Sequence, residues 1–234
     1  RMRGIPYRIV GAVSFYERRE VKDLLAYLRL LANPADDEAF LRAVLAPRRG
    51  IGDASLAALI LAAGRWGWSL LAAAAAAGRL AELRPNVREL LAGFAGTIER
   101  LRDMVGGADP ATALENIVAA TGYEQYLAEE GPEGAERLDN VRELIAGAAE
   151  WAEVAEPAED DQPADTLIQR YLTQAALSTA RDEGDAGAGS RVTLMTVHTA
   201  KGLEWPVVAL AGLEEGLFPL GRAAGEEGGL EEER

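Results

Sequence analysis

The chain has 234 residues, no cysteine and one histidine, which excludes disulfides, thiol nucleophiles and metal sites built from Cys or from a His cluster. The net charge of −14 is uneven: residues 1–100 hold 15 Arg and Lys against 10 Asp and Glu, and the rest hold 9 against 28. No apolar run reaches the ~18 residues of a membrane span and no signal peptide is visible, so a cytoplasmic protein without membrane contact is expected.

Tyr7 to Val10 reads as a short strand after a Gly-Ile-Pro turn. A helix is expected from Glu17 to about Leu31, with Val21, Leu24, Leu25, Leu28 and Leu31 at helical spacing, stopped by Asn33-Pro34. Asp36 caps the next helix, Glu38 to Leu45, which Pro47 ends. Asp53 or Ser55 caps a third, through about Ala63. Helical stretches follow at Leu70 to Ala77, Leu80 to Leu83, Asn86 to Val105, Pro110 to Ala120, Tyr123 to Glu130 and Glu133 to Val154. Val154 to Asp165 is acidic and Pro-rich and reads as a surface linker; Thr166 to Ala180 is helical, and Arg181 to Ser190 reads as a flexible hinge. Val192 to Val197 and Val207 to Leu210 are strand candidates. The ends therefore carry strands and the long middle is all helix, an α/β chain that is predominantly helical.

Three segments carry chemistry. Thr196 stands near the end of the first of these two strand candidates, and between the two lie His198, Thr199, Lys201, Gly202 and Glu204, a dense set of donors with one acid. Hydroxyls, backbone N–H groups and Lys bind phosphate oxygens, and Gly202 lets the backbone approach a ligand closely. The plain alternative is an ordinary connector. Arg48, Arg49, Gly50, Ile51 and Gly52 form a basic turn between two helices, with Ile51 as its apolar anchor. Such a turn, followed by a helix N-terminus, suits a phosphate without reading bases, though a plain interhelical turn shares the pattern. Arg18 and Arg19, beside Phe15 and Tyr16, suit single-strand stacking; Glu17, Glu20 and Asp23 offer the rival reading of local charge pairs. Trp66, Trp68 and Trp151 read as packing residues.

The run Thr196-Val-His-Thr-Ala-Lys-Gly-Leu-Glu-Trp205 closely resembles the fifth motif of the UvrD/Rep-type (PcrA-like) superfamily 1 DNA helicases. Ile5 to Gly11, Phe15 to Asp23 and Pro47 to Gly52 resemble that family in the same order. The resemblance implies a fragment: residues 1–23 and 182–234 as pieces of an incomplete RecA-like P-loop NTPase domain, called 2A, and 24–181 as an inserted all-α 2B subdomain with a helix-hairpin-helix. It implies single-strand contact by Thr196, His198, Thr199, Lys201, Arg18 and Arg19, nucleotide contact by Gly202 and Glu204, and duplex contact by Arg48 to Gly52. It further implies a parent enzyme that hydrolyses ATP with Mg²⁺, translocates 3′ to 5′, binds a single-strand/duplex junction irrespective of sequence, and meets repair or replication proteins.

The Gly-x-x-x-x-Gly-Lys-[Ser/Thr] phosphate loop and an acidic Mg²⁺-holding strand are absent, so this stretch by itself is expected to be inactive, with no catalytic residue and no metal site of its own. Two other readings stay open. One is a non-enzymatic, autoinhibitory or protein-interaction helical module. The other is the motor of a helicase-nuclease like the AddA/RecB relatives.

Overall fold

The computed structural model describes residues 7–10, 15–155, 166–184 and 192–214. The chain divides into two compact units, one of Val13–Gly189 and one of Arg1–Ala12 with Ser190–Arg234.

The larger unit is helical. Its elements are α1 (Arg19–Ala32), α2 (Asp37–Ala43), α3 (Asp53–Trp66), α4 (Leu70–Ala75), α5 (Pro85–Met104), α6 (Pro110–Thr121), α7 (Tyr123–Ala128), α8 (Pro132–Val154) and α9 (Leu167–Gly184). Helix α1 is the hub and packs against α2, α5, α6, α8 and α9. It can do so because its apolar positions recur at three and four residues and Val21, Leu24, Tyr27, Leu28 and Leu30 are all fully buried. Burying a Leu side chain contributes roughly 1.5–3 kcal/mol, so this one stripe supplies much of the core. Helix α5 closes the other side with Val87, Leu91, Phe94, Ile98 and Leu101. Phe94 meets Phe40 and Tyr27 edge-on, with ring centroids 5.4 and 6.2 Å away.

Local sequence sets the helix ends. Asp36 accepts from the N–H of Ala39 at 2.9 Å and so caps α2, as expected. Asp109 caps α6 by accepting from Ala111 at 2.9 Å and Thr112 at 3.0 Å. Asp37 accepts from the N–H of Leu70 at 2.7 Å and ties the start of α4 to α2.

Several expectations are corrected. Gly52, not Asp53 or Ser55, is the cap of α3, and Asp53 is its first helical residue. Leu80 to Leu83 is not a helix; it is an irregular segment that still buries Leu80 and Leu83, with Arg88 donating to the Leu83 carbonyl at 2.8 Å. Helix α9 runs on through Gly184, four residues into the expected hinge; residues 185–190, like 156–165 of the expected linker, lie outside the described part. No described helix is long and apolar enough to cross a membrane.

The smaller unit holds two parallel strands, β1 (Tyr7–Val10) and β2 (Val192–Met195), in register from Tyr7 opposite Val192 to Val10 opposite Met195. A short helix, α10 (Val197–Ala200), follows β2 at once. Val207 to Leu210 is not a strand: Val207 is 86% exposed, and without a neighbouring strand the backbone has nothing to pair with among the described residues.

Candidate nucleic-acid interface

In the smaller unit, the polar segment leaves the carboxyl end of β2. The side chain of Thr196 lies 2.8 Å from the hydroxyl of Thr199 and accepts from its backbone N–H at 3.1 Å. Thr196 thereby caps α10, whose first turn is closed by the N–H of Ala200 on the Thr196 carbonyl at 3.0 Å. His198 lies in this helix; its side chain is outside the described part. The chain then turns at Gly202, where φ is +80°, a left-handed conformation that glycine adopts without steric cost. Lys201, Gly202 and Glu204 are all exposed. The segment thus presents a capped helical turn, a cation and a carboxylate to solvent within nine residues, the length of Thr196 to Glu204.

In the helical unit, the turn from Arg48 to Gly52 joins α2 to α3. Ile51 is 6% exposed and anchors the turn in the core. Gly50 has φ +74°, and no atom lies within 4 Å of where a Cβ would sit, so its conformation rather than space selects glycine. Arg48 is exposed and makes no hydrogen bond or ion pair with another described residue. Arg49 behaves differently: its Nη1 donates to the carbonyls of Ala43, Val44 and Pro47 at 3.0, 3.1 and 2.8 Å. Its guanidinium also donates to the hydroxyl of Tyr27 and lies 5.0 Å from the centre of the Phe94 ring. The first turn of α3 carries Asp53, whose charge opposes an incoming phosphate at that end.

Arg18 and Arg19 are both engaged within the protein. Arg18 donates to Asn140 of α8 and stacks over Phe15 at 5.5 Å. Arg19 reaches both carboxylate oxygens of Glu130 at 2.7 Å. Lys22 pairs with Glu17, a local pair of the kind the sequence offered. The hydrogen-bond partners of the two arginines are tertiary, more than 100 residues away, and no local spacing announces them.

Sequence reasoning missed a polar seam along α1. Glu20 and Asp23 are 3% and 4% exposed. Asn140 donates to Glu20 at 2.7 Å, while Asp23 accepts from Tyr123 at 2.8 Å and pairs with Arg42 at 2.8 Å. Burial holds the Asp23 carboxyl above its ordinary range despite those partners. Burial likewise pushes the Tyr27 phenol up to about 12, so it stays a neutral hydroxyl. Glu130 is held below the ordinary range by its hydrogen bond from Arg19, with Arg137 adding to the effect. The signal for the seam was charged residues inside an otherwise apolar helical stripe.

One unit thus carries a polar loop at the carboxyl end of a parallel strand, and the other carries a basic turn between two helices. Residues 1–71 and 86–234 match the model of the UvrD-like helicase C-terminal domain, and the chain belongs to that family. It is 39% identical over 240 residues to the ATP-dependent DNA helicase UvrD1 of Mycobacterium tuberculosis, covering 99% of this chain and 31% of that protein. It is 38% identical over 237 residues to the ATP-dependent DNA helicase PcrA of Bacillus subtilis, covering 99% and 31%. It is 38% identical over 237 residues to DNA helicase II of Escherichia coli, covering 98% and 31%. The chain therefore spans about 31% of the length of these relatives.

Proposed function

We propose that this chain is the part of an ATP-dependent 3′–5′ DNA helicase that holds the single-strand/duplex junction and contributes one edge of the nucleotide site. The observation that carries the reading is the family match across both units, with Thr196 to Glu204 leaving the carboxyl end of a parallel strand. That end is where open α/β sheets bind ligands. On this reading residues 1–23 and 182–234 are pieces of the RecA-like 2A domain, and 24–181 is the 2B-like body with its helix-hairpin-helix.

The roles follow from the chemistry. Thr196, Thr199, His198 and Lys201 supply hydrogen bonds and charge to the phosphates of a single strand. ATP, when bound, supplies the free energy that alternates an open and a closed cleft. Glu204 would accept from its sugar hydroxyls, and Gly202 would let the backbone come close. This sequence has no phosphate loop, so its own residues make only that edge. Arg48 and the backbone of Gly50 to Gly52 hold the duplex. Arg49 has its donors turned inward, and Arg18 and Arg19 act by bracing α1 against α8 and Glu130 more than by touching DNA. Contacts confined to phosphate make binding independent of sequence and sensitive to salt.

The test is fluorescence anisotropy with a duplex bearing a 3′ single-stranded tail, over a salt series, beside Arg48→Ala. Salt-sensitive binding is expected, with the slope of log K against log salt reduced by about 0.9 in the variant, the value for one lost phosphate contact. A folded chain that ignores the tailed duplex at low salt overturns the reading and favours a helical module that binds protein.

A further inference from the structure

The turn between α2 and α3 has an unusual underside. Arg49 follows the exposed Arg48, yet its guanidinium is committed to three carbonyls, one phenol and one aromatic face. The same phenol, Tyr27 of α1, is fully buried and also reaches the carbonyls of Ala43 and Ala46 at 2.9 and 2.8 Å. Together the two side chains collect carbonyl oxygens from Ala43, Val44, Ala46 and Pro47. These are the oxygens that the end of α2 and the start of the turn would otherwise leave without donors. The path of the backbone into Arg48 is therefore cast around a rigid fork. A lysine has no such fork: it offers a single ammonium. On the far side of the turn, Ile51 is held in the core and Gly52 caps α3.

We infer that Arg49 and Tyr27 are positioning residues for the duplex site: they fix the turn from beneath so that Arg48 and the Gly50–Gly52 backbone meet phosphate oxygens, and Arg49 itself touches no DNA. This rests on the proposed function of the Arg48–Gly52 turn. Three alternatives compete for Arg49. If it were a phosphate contact, any cation at that position would serve. If it acted only on stability, its loss would be felt equally with or without Arg48. If it positions the turn, its loss is largest while Arg48 is present and shrinks once Arg48 is alanine.

The experiment is a double-mutant cycle on the full chain, Tyr27→Phe against Arg48→Ala, read as affinity for the 3′-tailed duplex and for the tail strand alone. Tyr27→Phe removes one buried oxygen and keeps the ring against Phe94, so it is the milder way to loosen the fork. About a fivefold loss of duplex affinity is expected from Tyr27→Phe alone, and less than about twofold when Arg48 is already alanine. Affinity for the single strand should not move. Arg49→Lys, which keeps the charge but not the fork, should resemble Arg49→Ala and fail to restore binding. Strictly additive losses, or full rescue by Arg49→Lys, overturn the inference while leaving the proposed function standing. Absence of duplex binding by the unsubstituted folded chain overturns the proposed function and the inference with it. If Arg49→Ala does not fold, the Tyr27→Phe cycle and Arg49→Lys still decide.

Discussion

The phenol of Tyr123 donates to the buried carboxylate of Asp23 at 2.8 Å, joining α7 to α1 across 100 residues of chain. Arg42 of α2 pairs with the same carboxylate at 2.8 Å and also donates to the Arg19 carbonyl at 3.1 Å. One acid thus fastens three helices. Tyr123→Phe leaves a buried oxygen short of a donor and is expected to cost about 1–2 kcal/mol in urea unfolding. The folded pKa of Asp23 lies above its unfolded value because burial disfavours the charge. Its contribution is therefore complete below the ordinary carboxylate range and lost as pH rises through the raised value. Melting temperatures across the acidic range should show that decline, and Asp23→Asn should abolish it; an unchanged profile in the variant would refute the assignment.

Glu130 has the opposite sign. Arg19 and then Arg137 hold its carboxyl below the ordinary range, so its contribution is present above that range and lost as pH falls through the lowered value. Glu130→Gln is expected to cost about 1 kcal/mol at neutral pH, as for other partly exposed ion pairs, and to flatten the acid side of the stability profile. The same unfolding series, run at low and high salt, checks this, since screening should shrink the difference.

Two glycines separate conformation from space. At Gly134 a Cβ would sit 1.8 Å from the Leu127 carbonyl oxygen, a backbone atom with nowhere to go. Gly134→Ala must push α8 away from α7 and is expected to cost about 3 kcal/mol, the upper end for overpacking. At Gly50 the space is open and only φ +74° opposes a side chain, so Gly50→Ala should cost about 1 kcal/mol. Equal midpoints for the two variants in denaturant would show that the helix contact at Gly134 is not as described.

Much of the helical unit was legible because its signals are local. Asp36 and Pro110 mark helix starts, and the stripe from Val21 to Leu31 marks the buried face. The strand at Tyr7 to Val10 was legible too, although its partner stands at the other end of the sequence. What was not legible was what depends on partners. Val207 to Leu210 is β-branched and apolar, but composition does not provide a neighbouring strand. Thr196 read as a ligand-facing loop residue, yet its hydroxyl first serves as a helix cap, a competition between side chain and backbone that short polar residues often enter. Arg49 looked like its neighbour Arg48 in every compositional respect. Only the carbonyls gathered beneath it tell the two apart.

The pairing of Tyr7 with Val192 has a kinetic side. Two strands so distant in sequence close a very large loop, and closure entropy grows with the logarithm of its length. Their hydrogen bonds cannot repay that entropy early in folding. The helical unit changes the sum: α9 packs against α1 and against the single turn at Phe15–Glu17, which shortens the loop left to close. Once it has formed, the strands close a shorter effective loop than in the unfolded chain. The parallel pair is therefore a late event in refolding, and substitutions in it should quicken unfolding while leaving the folding rate almost unchanged.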